Sequence, residues 1–199
     1  MDPSSSFPRL SGTADASVRP AFPEDAAEIA RIQVVTWRTA YRSLLPMAVL
    51  DEWDADVATE SWRHAITVPP TPGHGVLVAL EKNTVVGFVA YGPAELATGE
   101  VPDPAGPTTE LSILIVEPRW GRRGHGSRLL AAAADLAVGG GAARLQVWLL
   151  EADRVSAGFY ESAGWAPDGW ARTLDTGGEP LREVRWHALL GSDAPEGTT

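Results

Sequence analysis

The stretch from Val116 to Leu130, Val-Glu-Pro-Arg-Trp-Gly-Arg-Arg-Gly-His-Gly-Ser-Arg-Leu-Leu, constrains the fold more than any other. An apolar strand, Glu110 to Val116, runs into it, and the periodic apolar residues after Gly124 continue it as a helix. Glycines at 124 and 126 carry no Cβ, so the backbone can approach an anion closely and aim successive N–H groups at it. The helix N-terminus adds about half a positive charge, and Arg122 and Arg123 add two full ones. The turn reads as a phosphate cradle, with contacts expected from Arg122, Arg123, Gly124, His125, Gly126 and Ser127. It is not a P-loop, since no Lys-Ser/Thr follows the second glycine. It is not a dinucleotide fingerprint either, since residue 129 is Leu and not a third glycine.

Charge narrows the function classes. The chain has 199 residues, with 26 acidic against 16 basic residues and a net charge of -10. A general nucleic-acid binder or a basic membrane-surface protein needs broad positive potential, so both are disfavoured; the acidic balance suits a cationic small substrate or serves solubility alone, the commoner reason. The absence of cysteine removes disulfides, a thiolate nucleophile and cysteine-ligated metal sites. Histidines 64, 74, 125 and 187 show no ligand spacing and read as surface or capping residues, so no metal is expected. No apolar run reaches the length of a membrane span. A cytoplasmic location is compatible with all of this.

The length suits one domain, taken here as residues 17–190 between disordered tails at 1–16 and 191–199. Ser17 to Ala21 reads as a strand, and Pro23-Glu24-Asp25 starts a helix carrying Ile29, Ile32, Trp37 and Tyr41 at helical spacing. Further helices are expected over Met47 to Trp53 and Asp54 to Ile66. Gly75 to Leu80 and Thr84 to Tyr91 form a hairpin around Glu81-Lys82-Asn83. Pro93 to Thr108, with four prolines and three acids, is too long for an ordinary connection and reads as disordered or substrate-facing. Strand 110–116, helix 124–138 and strand 143–150 make a βαβ unit with parallel pairing. A helix over Asp153 to Ala163 and strands at Gly164 to Trp170 and Leu181 to Leu190 close the chain. The exposed edge of Leu181 to Leu190 offers a route to a homodimer.

Two blocks at this separation resemble the GNAT superfamily of N-acetyltransferases. The family's cradle, Gln/Arg-x-x-Gly-x-Gly/Ala, follows a strand-ending proline; Pro118, Gly124 and Gly126 fit, while Gly121 stands at the Gln/Arg position. Asp153-Arg154-Val155-Ser156-Ala157-Gly158-Phe159-Tyr160-Glu161-Ser162-Ala163-Gly164-Trp165 is similar to the family's Asn-x-x-Ala-x-x-Phe-Tyr-x-x-x-Gly-Phe. Phe159, Tyr160 and Gly164 match; Asp153, Ser156 and Trp165 are conservative departures, and Asp153 can cap the helix as Asn would. Trp37 and Tyr41 match the W-x-x-x-Y of a bacterial branch.

The resemblance implies an α/β fold with a mixed, mostly antiparallel sheet, whose central parallel pair splays to admit CoA. It also implies an acetyl-CoA-dependent N-acetyltransferase acting on a primary amine by direct attack in a ternary complex. The acceptor classes are small amines, polyamines, aminoglycoside-like amines and peptide amines. Pantetheine would pair with backbone near Leu114, Ile115 and Val116, freed by a bulge, and Asp153 and Ser156 would join the cofactor contacts. Tyr160 is the candidate acid and Glu110 the candidate base, with Glu95, Glu100 and Asp103 as alternatives. Alternation places Glu110 on one face with Ser112, Leu114 and Val116. Trp37, Tyr41 and Trp53 could wall the acceptor pocket, although packing competes with that role, and Trp148 and Trp165 read as core. The alternative reading is a CoA-binding regulatory module without efficient turnover; a nucleotide-binding protein is a third.

Overall fold

The computed structural model describes residues 15–40, 54–175 and 180–191. The expected tails, the helix over 47–53, Tyr41 and Trp53 lie largely or wholly outside these residues. β1 (Ala16–Pro20) leads through a 3-10 turn at Pro23–Asp25 into α1 (Ala26–Ala40). Asp25 fixes that entry by accepting from Phe22 N at 2.7 Å and pairing with both terminal nitrogens of Arg19. α2 (Ala55–Thr67) starts on Asp54, whose carboxylate accepts from the amides of Asp56 and Val57.

β2 (Gly75–Glu81) and β3 (Thr84–Pro93) are the expected hairpin, both extended beyond the predicted ends. Their apolar runs do not alternate because both faces are covered. β4 (Thr108–Val116), α3 (His125–Gly139) and β5 (Arg144–Leu150) form the predicted βαβ unit, with β4 and β5 parallel. α4 (Arg154–Ser162), β6 (Ala166–Leu174) and β7 (Leu181–Leu189) complete the chain. The seven strands form one sheet in the order β1-β2-β3-β4-β5-β7-β6, antiparallel except for β4–β5. β7 therefore lies between β5 and β6, and the edge is β6; the expectation of an exposed Leu181 to Leu190 edge is wrong.

Two apolar layers sandwich the sheet. On one side Leu129, Leu130 and Ala133 of α3 pack on Leu77, Val89, Leu111 and Val147. On the other Ile29 and Ile32 of α1 pack on Val78, Phe88 and Ile115.

The β3–β4 register shifts by one: Ala90 faces Ile113 and Tyr91 faces Leu111, leaving Ser112 as an extra residue. This bulge changes which residues share a face. Leu111 now belongs with Leu114 and Val116 on the α3 side, whereas Ile113 and Ile115 point to the α1 side. Glu110, adjacent to Leu111, faces away from α3 and not with Leu114 and Val116 as strict alternation predicts.

Candidate active site

β4 and β5 pair only from Thr108↔Arg144 to Leu111↔Val147. Beyond that rung they separate, so backbone groups of Ser112 to Val116 that point away from β3 have no strand partner in β5. A cleft of about 1210 Å³ opens along this gap. Its wall includes Leu114, Ile115 and Val116 from β4, Arg122, Gly124, His125, Gly126 and Ser127 from the turn and α3, and Asp153, Ser156 and Tyr160 around α4. Every cofactor contact expected from the sequence except Arg123 is thus brought to one cavity. The bulge at Ser112, two residues before Leu114, lies in the pairing of β4 with β3, and it is the divergence of β5 that leaves these groups without a strand partner.

The turn is built for anions. Gly124 is the N-cap of α3 with φ of +80°, and Arg122 is a non-glycine residue at φ of +61°. Left-handed positions spaced in this way turn successive N–H groups toward one concavity. A Cβ on Gly124 would sit 3.0 Å from Arg128 Nη1, while one on Gly126 would only touch the Phe159 ring at 3.4 Å. Gly124→Ala is expected to cost about 1–2 kcal/mol of stability through backbone strain and to weaken nucleotide binding, whereas Gly126→Ala should be milder. Denaturant unfolding and a CoA titration of both variants check this.

The two cradle arginines part company. Arg122 lines the cleft, but the Arg123 guanidinium lies 4.8 Å from the centroid of Trp120. Trp120 meets the edge of His125. The side chain of His125 is 1% exposed, so it is a core histidine and not the surface residue expected. Burial pushes its imidazole below the ordinary value, and Glu81, 3.1 Å away, opposes that less strongly. A neutral, buried ring leaves the backbone as what His125 offers the cleft. Asp153 Oδ1 accepts from Val155 N and Ser156 N, and its Oδ2 from Ser156 Oγ at 2.6 Å. Both residues thereby hold the N-terminus of α4 in place.

Glu117 escaped the sequence reading because an acid at a strand end looks like surface. It is 4% exposed and receives both terminal nitrogens of Arg31, at 3.1 and 2.9 Å, with Arg119 at 2.9 Å. The hydrogen bonds from Arg31 hold its carboxyl below the usual range. This ties α1 to the first residue of the turn. Tyr160 is buried against Phe159 and Trp165, with ring centroids 5.1 and 4.9 Å apart.

The opposite face carries a second constellation. Gln146 donates to Glu110 Oε2 at 2.7 Å on the second-last rung before the strands part. Trp148, expected in the core, is half-buried, with Arg172 4.4 Å and Arg185 5.7 Å from its ring. Arg185 is almost fully buried and bonds Glu100 through two nitrogens and Asp168 through Nε at 2.7 Å. The segment 94–107 is therefore pinned over this face, with Asp103 on Arg144 as a further tie. Trp37, like Trp62 and Ile66, packs partly buried against the apolar layer of α1. Among the described residues no cluster could hold a metal ion, and no helix is long and apolar enough to cross a membrane.

The acetyltransferase (GNAT) family model matches residues 29–165. The uncharacterized N-acetyltransferase YuaI of Bacillus subtilis (strain 168) is 30% identical over 171 residues, covering 84% of this chain and 90% of its own. The fold is shared with yncA of Salmonella typhimurium, solved with its cofactor acetyl-CoA: TM-score 0.64, 20% identity, 92% of this chain and 99% of that one. It is shared likewise with the paia N-acetyltransferase of Thermoplasma acidophilum in complex with coenzyme A: TM-score 0.64, 14% identity, 87% and 98%. With the family model spanning well over half the sequence and the splayed β4–β5 pair opening on a glycine cradle, the chain belongs to the GNAT acetyltransferase family, whose members are N-acetyltransferases.

Proposed function

We propose that the protein moves an acetyl group from acetyl-CoA to a cationic primary amine in a ternary complex. The observation that carries this reading is the gap between β4 and β5, which opens onto the cradle cleft and begins just beyond the Glu110↔Gln146 and Leu111↔Val147 rungs. When bound, acetyl-CoA supplies the thioester carbonyl. Arg122 and the α3 N-terminus hold its phosphates, and the free backbone of β4 aligns its arm.

The chain's own groups then manage two protons. An alkylammonium must lose one before it can attack, which costs about 4 kcal/mol at pH 7 in water. Glu110 takes that proton, directly or through water. Glu100 and Asp103 are engaged by Arg185 and Arg144, while Glu110 is bonded only to the neutral Gln146 among the described residues. As the N–C bond forms the nitrogen sheds its second proton to solvent, and as the C–S bond breaks Tyr160 gives its phenol proton to the departing sulfur and regains one from solvent.

Acceptor charge follows from the face it meets. Glu100, Glu110, Asp168 and Glu183 oppose Arg172 and Arg185 there, a surplus of two negative charges. Polyamines, aminoglycoside-like amines and peptide amines suit that surplus. The direct test is to incubate the protein with acetyl-CoA and a panel of such amines, following CoA thiol and acceptor mass together. Binding without thiol release across the panel would favour the regulatory-module reading instead. Glu110→Gln is expected to lower kcat about 10²-fold at neutral pH and to remove the acidic limb of the pH–rate profile. A limb that survives unchanged assigns the base elsewhere.

A further inference from the structure

Among the described residues, Thr36 is the one through which α1 reaches the cleft; the remaining wall comes from β4, the turn after it, α3 and the α4 region. It is 6% exposed, and its Oγ1 has no hydrogen-bond partner among the described residues. Four other helical hydroxyls behave differently. Those of Thr39, Thr59, Ser61 and Thr67 each donate to the carbonyl four residues back, at 2.6, 2.7, 2.8 and 2.8 Å. The corresponding carbonyl for Thr36 is that of Ile32, and the hydroxyl does not take it. Buried hydroxyls nearly always find a partner, so this exception calls for one.

We propose that Thr36 is a hydrogen-bonding contact for the amide-bearing arm of the acyl-CoA held in this cleft, an assignment that rests on reading the cleft as the acyl-CoA site. Threonine in a helix has two favourable χ1 wells, so rotation about one bond presents Oγ1 to the cleft without moving α1. The hydroxyl can both donate to a carbonyl and accept from an amide, and the arm carries both groups. The acceptor is the poorer match, because Glu110 and Gln146 are not part of this wall. The Arg31–Glu117 pair, five residues earlier in α1, ties the same helix to the start of the turn.

Thr36→Val replaces the hydroxyl with a methyl of the same shape, and Thr36→Ser keeps it. Calorimetric titration is expected to show acetyl-CoA bound about 3- to 10-fold more weakly by T36V and within about twofold of wild type by T36S. Adenosine bisphosphate, the nucleotide half of CoA without its arm, should bind wild type and T36V alike. Since the methyl leaves no oxygen unpaired, ligand-free T36V should melt no lower than wild type. Undiminished acetyl-CoA affinity in T36V, or an equal loss for both ligands, overturns the assignment. Failure of the wild-type protein itself to bind acetyl-CoA would overturn the underlying reading of the cleft.

Discussion

Tyr160→Phe is expected to lower kcat about 10³-fold while acetyl-CoA affinity stays within about twofold of wild type. The phenyl ring keeps the contacts with Phe159 and Trp165, and the backbone bond from Trp165 N to Tyr160 O at 3.0 Å is untouched. Only the hydroxyl is lost, so an effect confined to turnover isolates its proton from its packing. A phenol remains protonated at neutral pH, which suits a group that must donate as the C–S bond breaks. Steady-state kinetics beside a binding titration decides the matter: unchanged turnover removes Tyr160 from the chemistry, and a parallel fall in affinity makes it a packing residue.

Arg185→Met should be the most destabilising single change outside the apolar layers. The replacement has similar bulk but leaves Glu100 and Asp168 facing each other without the guanidinium that joins them. Removing one partner from such a buried set costs about 3–5 kcal/mol, a fall in melting temperature on the order of 10 °C for a chain of this size. The deficit depends on pH. Hydrogen bonds from Arg185 hold the Glu100 carboxyl below its usual range, so the stability it contributes is present above the unfolded carboxylate pKa and is lost as pH falls through the folded one. Wild type therefore declines in acid more steeply than the variant, and the gap between their melting curves should be widest near neutrality and narrow toward pH 3. A gap independent of pH would mean that the charge set contributes little.

The elements that position the cleft were readable because their causes are local. Gly124 and Gly126 announce a helix start after an apolar strand, and the carboxylate of Asp153 caps α4 within three residues of itself. Splaying could be anticipated only from the family resemblance, since where pairing stops depends on two strands at once. Arg185 was invisible: its partners are 17 and 85 residues away in sequence, and an arginine between Val184 and Trp186 looks like one more outward-facing strand residue. The same distance effect hid the state of the 94–107 segment. Its prolines and acids read as disorder or a substrate wall, and no local pattern reveals that Glu100 ends on a buried guanidinium. Thr36 and Glu117 failed for another reason, because burial of a polar side chain has no composition signature.

The extra residue at Ser112 makes the placement of the acid on β4 a question of parity. Counted back from Pro118, every residue beyond position 112 lies on the opposite side from the one its number suggests. Had the strand kept strict alternation through Ser112, the carboxylate at 110 would be turned into the apolar layer under α3, where a buried charge is costly. The bulge thus decides which face of the sheet carries the carboxylate, independently of residue type. Two chains with identical residues around the cradle, one bulged at this point and one not, would carry the residue eight positions before the proline on opposite faces of the sheet.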